Sequence, residues 1–262
     1  METVDGIILI LTCQKHINTR VKLFKLSKSE YNAYKVIYVI GDLFLNTDFS
    51  LDGTLLTIKC EDSYIHLLKK LGLSIKYLCS MFNIKEGILR CGDDLLFDEE
   101  RLLKFIKDDC KFDFYGQAWD WCLNEKFSYI NNKEALKKTK IDTFMCDYYY
   151  KHKNDFNNPQ HNLSLINFTT LVDCSKRPDV TGPVGCIYYL SKKACDILIT
   201  QLESIDFNIF HFDEFTQSYP YTIEDCAVTY IMYFNNVEFI HKAIFFDKPN
   251  AICKHTNQFK DD

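Results

Sequence analysis

Gly87-Ile88-Leu89-Arg90-Cys91-Gly92-Asp93-Asp94 is the stretch on which the fold turns. Its first half is a short apolar run that reads as a buried strand, and it leads directly into two adjacent acids. Upstream, Asp62 to Asn83 predicts a long helix, because Tyr64, Leu67, Leu68, Leu71, Ile75, Leu78 and Phe82 recur every three or four residues and make one apolar face. Further back, Ile7 to Thr12, Lys35 to Ile40 and Leu55 to Ile58 read as strands, with a helix over His16 to Leu26 between the first two. Strands alternating with helices predict an α/β fold with a mixed, mostly parallel sheet flanked by helices. Ligands of such sheets sit beyond the carboxyl ends of the strands, which is where Asp93 and Asp94 fall.

Downstream of the acids, Asp98 reads as the cap of a helix over Glu99 to Lys107. Residues 124–178 are polar, rich in Asn and Lys and without clear period, so a loop region that could act as a lid or acceptor site is expected there. Regular structure returns with a strand at Ile187 to Leu190, a helix capped by Ser191 and reaching Leu202, a helix over Ile223 to Phe234 and a last strand at Val237 to Ile240. Neither an internal repeat nor a flexible linker interrupts the pattern, so one domain spanning residues 1–262 is expected.

Composition narrows the classes. With 47% hydrophobic and 26% charged residues the chain can build a core of normal size. A net charge of -5 without a basic block argues against a nucleic-acid partner. The apolar run near the start, Ile7 to Leu11, is far shorter than the ~20 residues of a membrane helix and lacks the flanks of a signal peptide. No membrane span and a cytoplasmic location are therefore expected. Twelve cysteines without a Cys-x-x-Cys pair suggest reduced, buried thiols rather than zinc or redox chemistry.

Several clusters could carry chemistry. Asp93 and Asp94, at a strand end, could reach one Mg²⁺ or Mn²⁺ through carboxylate oxygens, although acids also end strands and cap helices routinely. Glu224 and Asp225 open a helix, where the dipole favours carboxylates; either could also take a proton as a general base. Gly182 and Gly185, in Thr181-Gly182-Pro183-Val184-Gly185-Cys186, mark a tight turn that would also let a ligand approach the backbone. His255 could complete a carboxylate metal site. Trp119 and Trp121 could stack on a sugar ring or simply pack in the core.

Taken in order, these segments resemble the β-1,3-galactosyltransferase and Fringe-like family, inverting glycosyltransferases of the GT-A fold. Asp62-Ser63-Tyr64-Ile65-His66-Leu67-Leu68-Lys69-Lys70 is similar to the family's D-S-Y-x-N-L-T-x-K helix, with His66 where Asn is usual. Arg90 to Phe97 is similar to the K-x-D-D-D-V-F-V run, Tyr115-Gly116 to the Y-x-G strand, Gly182 to Ser191 to the S-G-x-G-Y-v-L-S segment, and Glu224-Asp225-Cys226-Ala227-Val228 to the E-D-V helix start. The order and rough spacing hold over residues 7 to 255.

The resemblance implies a GT-A-type fold and transfer of a hexose (galactose, glucose or N-acetylglucosamine) from a UDP-sugar to a hydroxyl of a glycan or glycoprotein. Asp94 would bind Mn²⁺ or Mg²⁺ bridging the nucleotide diphosphate, Asp93 would touch the metal or the ribose region, and His255 would join the metal shell. Gly92 stands where the family triplet has its first acid. Asp225 would be the catalytic base, with Glu224 its rival. Arg20 and Lys70 fall near family basic positions that serve the donor or the fold. Beside the resemblance, Arg90 is expected on the donor side, and Trp119, Trp121, Gly182 and Gly185 on the acceptor side. Two other outcomes stay open: a retaining glucosyltransferase acting on galactosyl-hydroxylysine of collagen-like protein, and a carbohydrate-binding protein on a decayed transferase fold.

Overall fold

The computed structural model describes residues 1–63, 66–108, 111–118, 181–203 and 224–256. Its strands are β1 (Glu2–Leu11), β2 (Glu30–Tyr31), β3 (Tyr34–Gly41), β4 (Phe49–Asp52), β5 (Leu55–Ile58), β6 (Phe82–Gly92), β7 (Leu95–Phe97), β8 (Phe114–Gly116), β9 (Ile187–Ser191), β10 (Phe239–His241) and β11 (Cys253–His255). The helices are α1 (Gln14–His16) and α2 (Lys22–Phe24), joined by the π-helical turn Ile17–Val21, then α3 (Leu67–Met81), α4 (Glu99–Ile106), α5 (Lys192–Leu202) and α6 (Glu224–Phe234).

The apolar run at the start becomes the central strand because it can be buried on both faces. Ile7, Leu9 and Leu11 of β1 join one core layer and Ile8 and Ile10 the other, the pattern of a strand covered from both sides. β1 pairs in parallel with β3 and β6, and β3 in parallel with β5. The nine-stranded sheet runs β10-β8-β9-β6-β1-β3-β5-β4, with β2 added on β3. Because β9 is antiparallel to both β6 and β8, while β10 is parallel to β8, the strands β5, β3, β1, β6, β8 and β10 all point the same way. This is a mixed, mostly parallel α/β sheet, as the alternating pattern predicts. α3, α5 and α6 cover one face, where Leu71, Ile75, Leu198 and Ile231 meet the sheet. α4 covers the other with Leu102, Phe105 and Ile106.

Several boundaries differ from the sequence reading, each for a tertiary reason. The long helix begins at Leu67 rather than Asp62: the buried Asp62 carboxylate accepts the amides of Gln14 and Gly41 at the ends of β1 and β3, while Glu61 pairs with Lys69 and Ser63 with His66 at the start of the helix. β6 starts at Phe82, well before the apolar run, because it pairs along the whole of β1. β7 and β11, too short to stand out in sequence, form a separate antiparallel pair with His255 opposite Leu95. The last sheet strand is Phe239–His241 rather than Val237 to Ile240. The cap residues fall as expected: Asp98 accepts from the Arg101 amide and Ser191 from the Ala194 amide. Every cysteine whose side chain is described is a free thiol. No helix among the described residues is long and apolar enough to cross a membrane. The 124–178 region, Trp119 and Trp121 lie outside the described residues.

Candidate functional site

The chain steps from β1 outward through β3 and β5 on one side, and through β6 on the other. The crevice between β1 and β6 is therefore the point where strand order reverses, the usual ligand position in open α/β sheets. Both strands end there, β1 in Leu11 followed by Thr12, and β6 in Gly92 followed by Asp93 and Asp94. β9 runs opposite to β6, so the loop Gly182–Cys186 that enters it lies on this same edge. The Gly92 amide donates to the Cys186 carbonyl at 2.8 Å, tying that loop to the end of β6.

The two acids have different surroundings. Asp93 is buried and accepts from Thr12 Oγ1 at 2.7 Å, His16 Nδ1 at 2.8 Å and an Arg20 guanidinium nitrogen at 3.3 Å. Burial works against its charge, but the hydrogen bonds from His16 and Thr12 and the nearby Arg20 charge outweigh it and hold the carboxyl below the usual carboxylate range. The same hydrogen bond is the largest reason that His16 is raised to about 9, so the imidazole is cationic at neutral pH. Arg20 comes from the π-helical turn, an irregularity frequent at functional sites. Asp93 thus organises two cations at the mouth of the crevice.

Asp94 is more open and faces a different imidazole. Its Oδ2 lies 3.2 Å from His255 Nε2, although 161 positions separate them, and both side chains keep a quarter to a third of their exposure. The β7–β11 pair brings them together, helped by the Thr256 amide donating to the Asp94 carbonyl at 2.9 Å and the His255 amide donating to Asp247 Oδ1 at 2.8 Å. A Cβ at Gly92 would come within 3.0 Å of Asp94 Oδ1, so the glycine accommodates this side-chain position. Two donors at ~2.1 Å from an octahedral cation and at right angles to one another are about 3 Å apart. The Asp94–His255 contact, a 3.2 Å hydrogen bond in this structure, is compatible with that spacing. Among the described residues no group of three or more His, Cys, Asp or Glu is arranged to hold a metal.

The carboxylates of α6 are also divided. Glu224 is buried; its Oε2 accepts from Arg90 at 2.8 Å and its Oε1 from the Tyr188 hydroxyl. Burial pushes the Glu224 carboxyl up, opposed by the Arg90 charge. Burial likewise works against the Arg90 charge, but the Glu224 carboxylate holds the guanidinium above its ordinary range. Asp225 is half-buried and stands against the glycine loop: a Cβ on Gly185 would lie 2.7 Å from its Oδ2. Gly182 packs in the same way on Thr229, whose hydroxyl donates to the Asp225 carbonyl at 2.7 Å.

The sequence candidates therefore separate into groups. Asp94 and His255 meet; Asp93 and Arg20 meet each other at the crevice; Asp225 and Gly185 meet across the loop. Lys70 and Arg90 are turned inward. The Lys70 ammonium is 2% exposed and donates to Asp62 Oδ1 at 2.5 Å and to the Thr12 carbonyl at 2.7 Å, and Asp62 also receives the amides of Gln14 and Gly41. This geometry gives Lys70 a part in holding the strand ends together. Sequence reasoning missed Thr12, His16 and Tyr188. For Thr12 and His16 the signal was their position just beyond the first strand, whereas Tyr188 looked like any apolar strand residue. No protein-family model matches this chain, and no curated protein matches it.

Proposed function

We propose that this chain is a metal-dependent glycosyltransferase of the GT-A type that transfers a hexose from a UDP-sugar to a hydroxyl of a glycan or glycoprotein, with inversion. The observation that carries this reading is the meeting of the Asp94 carboxylate and the His255 imidazole at the carboxyl end of β6, beside the point where strand order reverses. These are two residues that the family resemblance assigns to the metal, and nothing in their sequence separation requires them to touch.

Asp94 and His255 would hold the divalent cation. When bound, it would act as a Lewis acid that stabilises the nucleotide diphosphate as leaving group. His16 and Arg20, anchored by Asp93, add positive charge at the crevice mouth, where phosphates would enter. Asp225 takes the proton of the acceptor hydroxyl as that oxygen attacks the anomeric carbon, help worth about 10²–10⁴-fold. Glu224 is unsuited to this task, since both of its oxygens are occupied in the interior. A single displacement driven by this base inverts the anomeric carbon.

Calorimetry of UDP with and without Mn²⁺ tests the reading. Wild-type protein is expected to bind UDP strongly only with the cation, and Asp94→Asn and His255→Ala are each expected to weaken that binding at least about tenfold, or ~1.4 kcal/mol. UDP release from a UDP-sugar should vanish in Asp94→Asn. A folded Asp94→Asn protein with undiminished turnover would overturn the metal assignment. Retention at the product anomeric carbon would move the protein to the collagen-type glucosyltransferase reading, and glycan affinity without UDP–Mn²⁺ affinity to the decayed, binding-only one.

A further inference from the structure

We propose that Arg90, Glu224 and Tyr188 form a buried positioning unit that fixes Asp225 against the end of β6, so that disturbing it slows transfer without weakening nucleotide–metal binding. The inference rests on the transferase reading for its kinetic half and on geometry alone for its structural half. Arg90 and Glu224 side chains are 4% and 3% exposed. Apolar residues of similar volume commonly serve stability as well as or better than a buried ion pair, so packing alone does not explain why these charges are here. Direction does: a guanidinium is planar and binds along fixed lines.

Arg90 reaches three elements at once. One nitrogen donates to the Gly185 carbonyl and the other to Glu224 Oε2, and the guanidinium lies 5.5 Å from the centre of the Tyr188 ring. The Tyr188 hydroxyl donates to the second Glu224 oxygen, so that carboxylate is held at both ends. Glu224 is the residue before Asp225, and Gly185 is the backbone that Asp225 abuts. The same arginine therefore sets both the helix turn that carries Asp225 and the loop that walls it. Arg90 also lies on β6, which leads directly into Asp93 and Asp94 and so links the proposed base to the proposed cation site. No residue of the trio need touch substrate; each acts through Asp225.

The test uses the full-length chain and the variants Tyr188→Phe, Glu224→Gln, Arg90→Lys and Arg90→Met. The first three preserve shape or charge, which keeps the question open if Arg90→Met fails to fold. UDP–Mn²⁺ affinity, turnover and acceptor KM are measured, together with amide hydrogen exchange. UDP–Mn²⁺ affinity is expected to stay within about twofold and turnover to fall by up to ~10²-fold, the usual effect of a displaced catalytic group. Acceptor KM should change little, and Arg90→Lys should recover part of the loss seen in Arg90→Met. Exchange should quicken in residues 224–229 and not in β6. Turnover within twofold of wild type in Tyr188→Phe, Glu224→Gln and Arg90→Lys, or a loss of turnover matched by loss of UDP–Mn²⁺ affinity, would overturn the proposal. The exchange readout separates the two ideas: a wild-type protein with no UDP–Mn²⁺ affinity sinks the transferase reading, while selective loosening of 224–229 still upholds the positioning unit. Unchanged exchange in all four variants overturns that unit whatever the protein catalyses.

Discussion

His16 is a residue whose chemistry comes almost wholly from its neighbours. Free histidine would be mostly neutral at pH 7, but the hydrogen bond to Asp93, assisted by the Cys13 thiol, raises it to about 9. A group whose folded pKa lies above its unfolded value of 6.5 stabilises the fold fully below that value, and the contribution is lost as pH rises through about 9. Asp93, held low, contributes above its ordinary value of 3.8 and loses that contribution as pH falls through its folded value. The pair is therefore at full strength between these two ordinary values. After allowance for partial solvent screening, His16→Gln should cost about 2 kcal/mol near pH 6 and almost nothing near pH 10. Urea unfolding at both pH values checks this, and equal costs at the two would show that the ion pair contributes nothing. At the same scale Asp93 and Asp94, adjacent in sequence, do different things: one faces two protein cations and the other a single imidazole.

The elements are held by caps as well as by apolar faces. Asp98 and Ser191 satisfy orphan amides at the starts of α4 and α5, and each stands on the entry from a strand into a helix. Asp98→Ala and Ser191→Ala should each cost about 1 kcal/mol, read as a lower denaturation midpoint with an unchanged denaturant slope. A changed slope would point instead to altered compactness of the unfolded or native state. The π-helical turn between α1 and α2 shows an element serving the site rather than the core, since none of its residues is fully buried and its Arg20 reaches Asp93.

At the scale of the molecule, the parallel strands are tied at their carboxyl ends by buried charge. Lys70 on α3 grips Asp62 and the Thr12 carbonyl, and Asp62 takes the amides of Gln14 and Gly41, so the ends of β1 and β3 meet at one carboxylate. Removing one partner of such a pair strands the other in the interior. Lys70→Met should destabilise the whole protein by about 3–5 kcal/mol, measured by calorimetric or denaturant unfolding. A loss below 1 kcal/mol would show that Asp62 is satisfied by the amides alone. Because Lys70 is turned inward and engaged by Asp62 and the Thr12 carbonyl, the lesion should act mainly on Tm, with little change in ligand affinity measured well below the transition.

Much of this was legible in the chain itself. The apolar run of β1, the alternation of strand and helix, the face of α3 and the caps at Asp98 and Ser191 follow from local periodicity and turn chemistry, which act over a few residues. Asp94 could be set at a strand end because the strand just before it could be read. What only the tertiary structure decided is which distant groups meet. The contact of Asp94 with His255 depends on two three-residue strands with no periodicity to read. The pairing of the buried Glu224 depends on Arg90, more than a hundred residues away, while its neighbour Asp225 stays half-buried. Local sequence sets what a segment can form, but burial and charge pairing are properties of the assembled core, and they divided roles among acids that the sequence presents side by side.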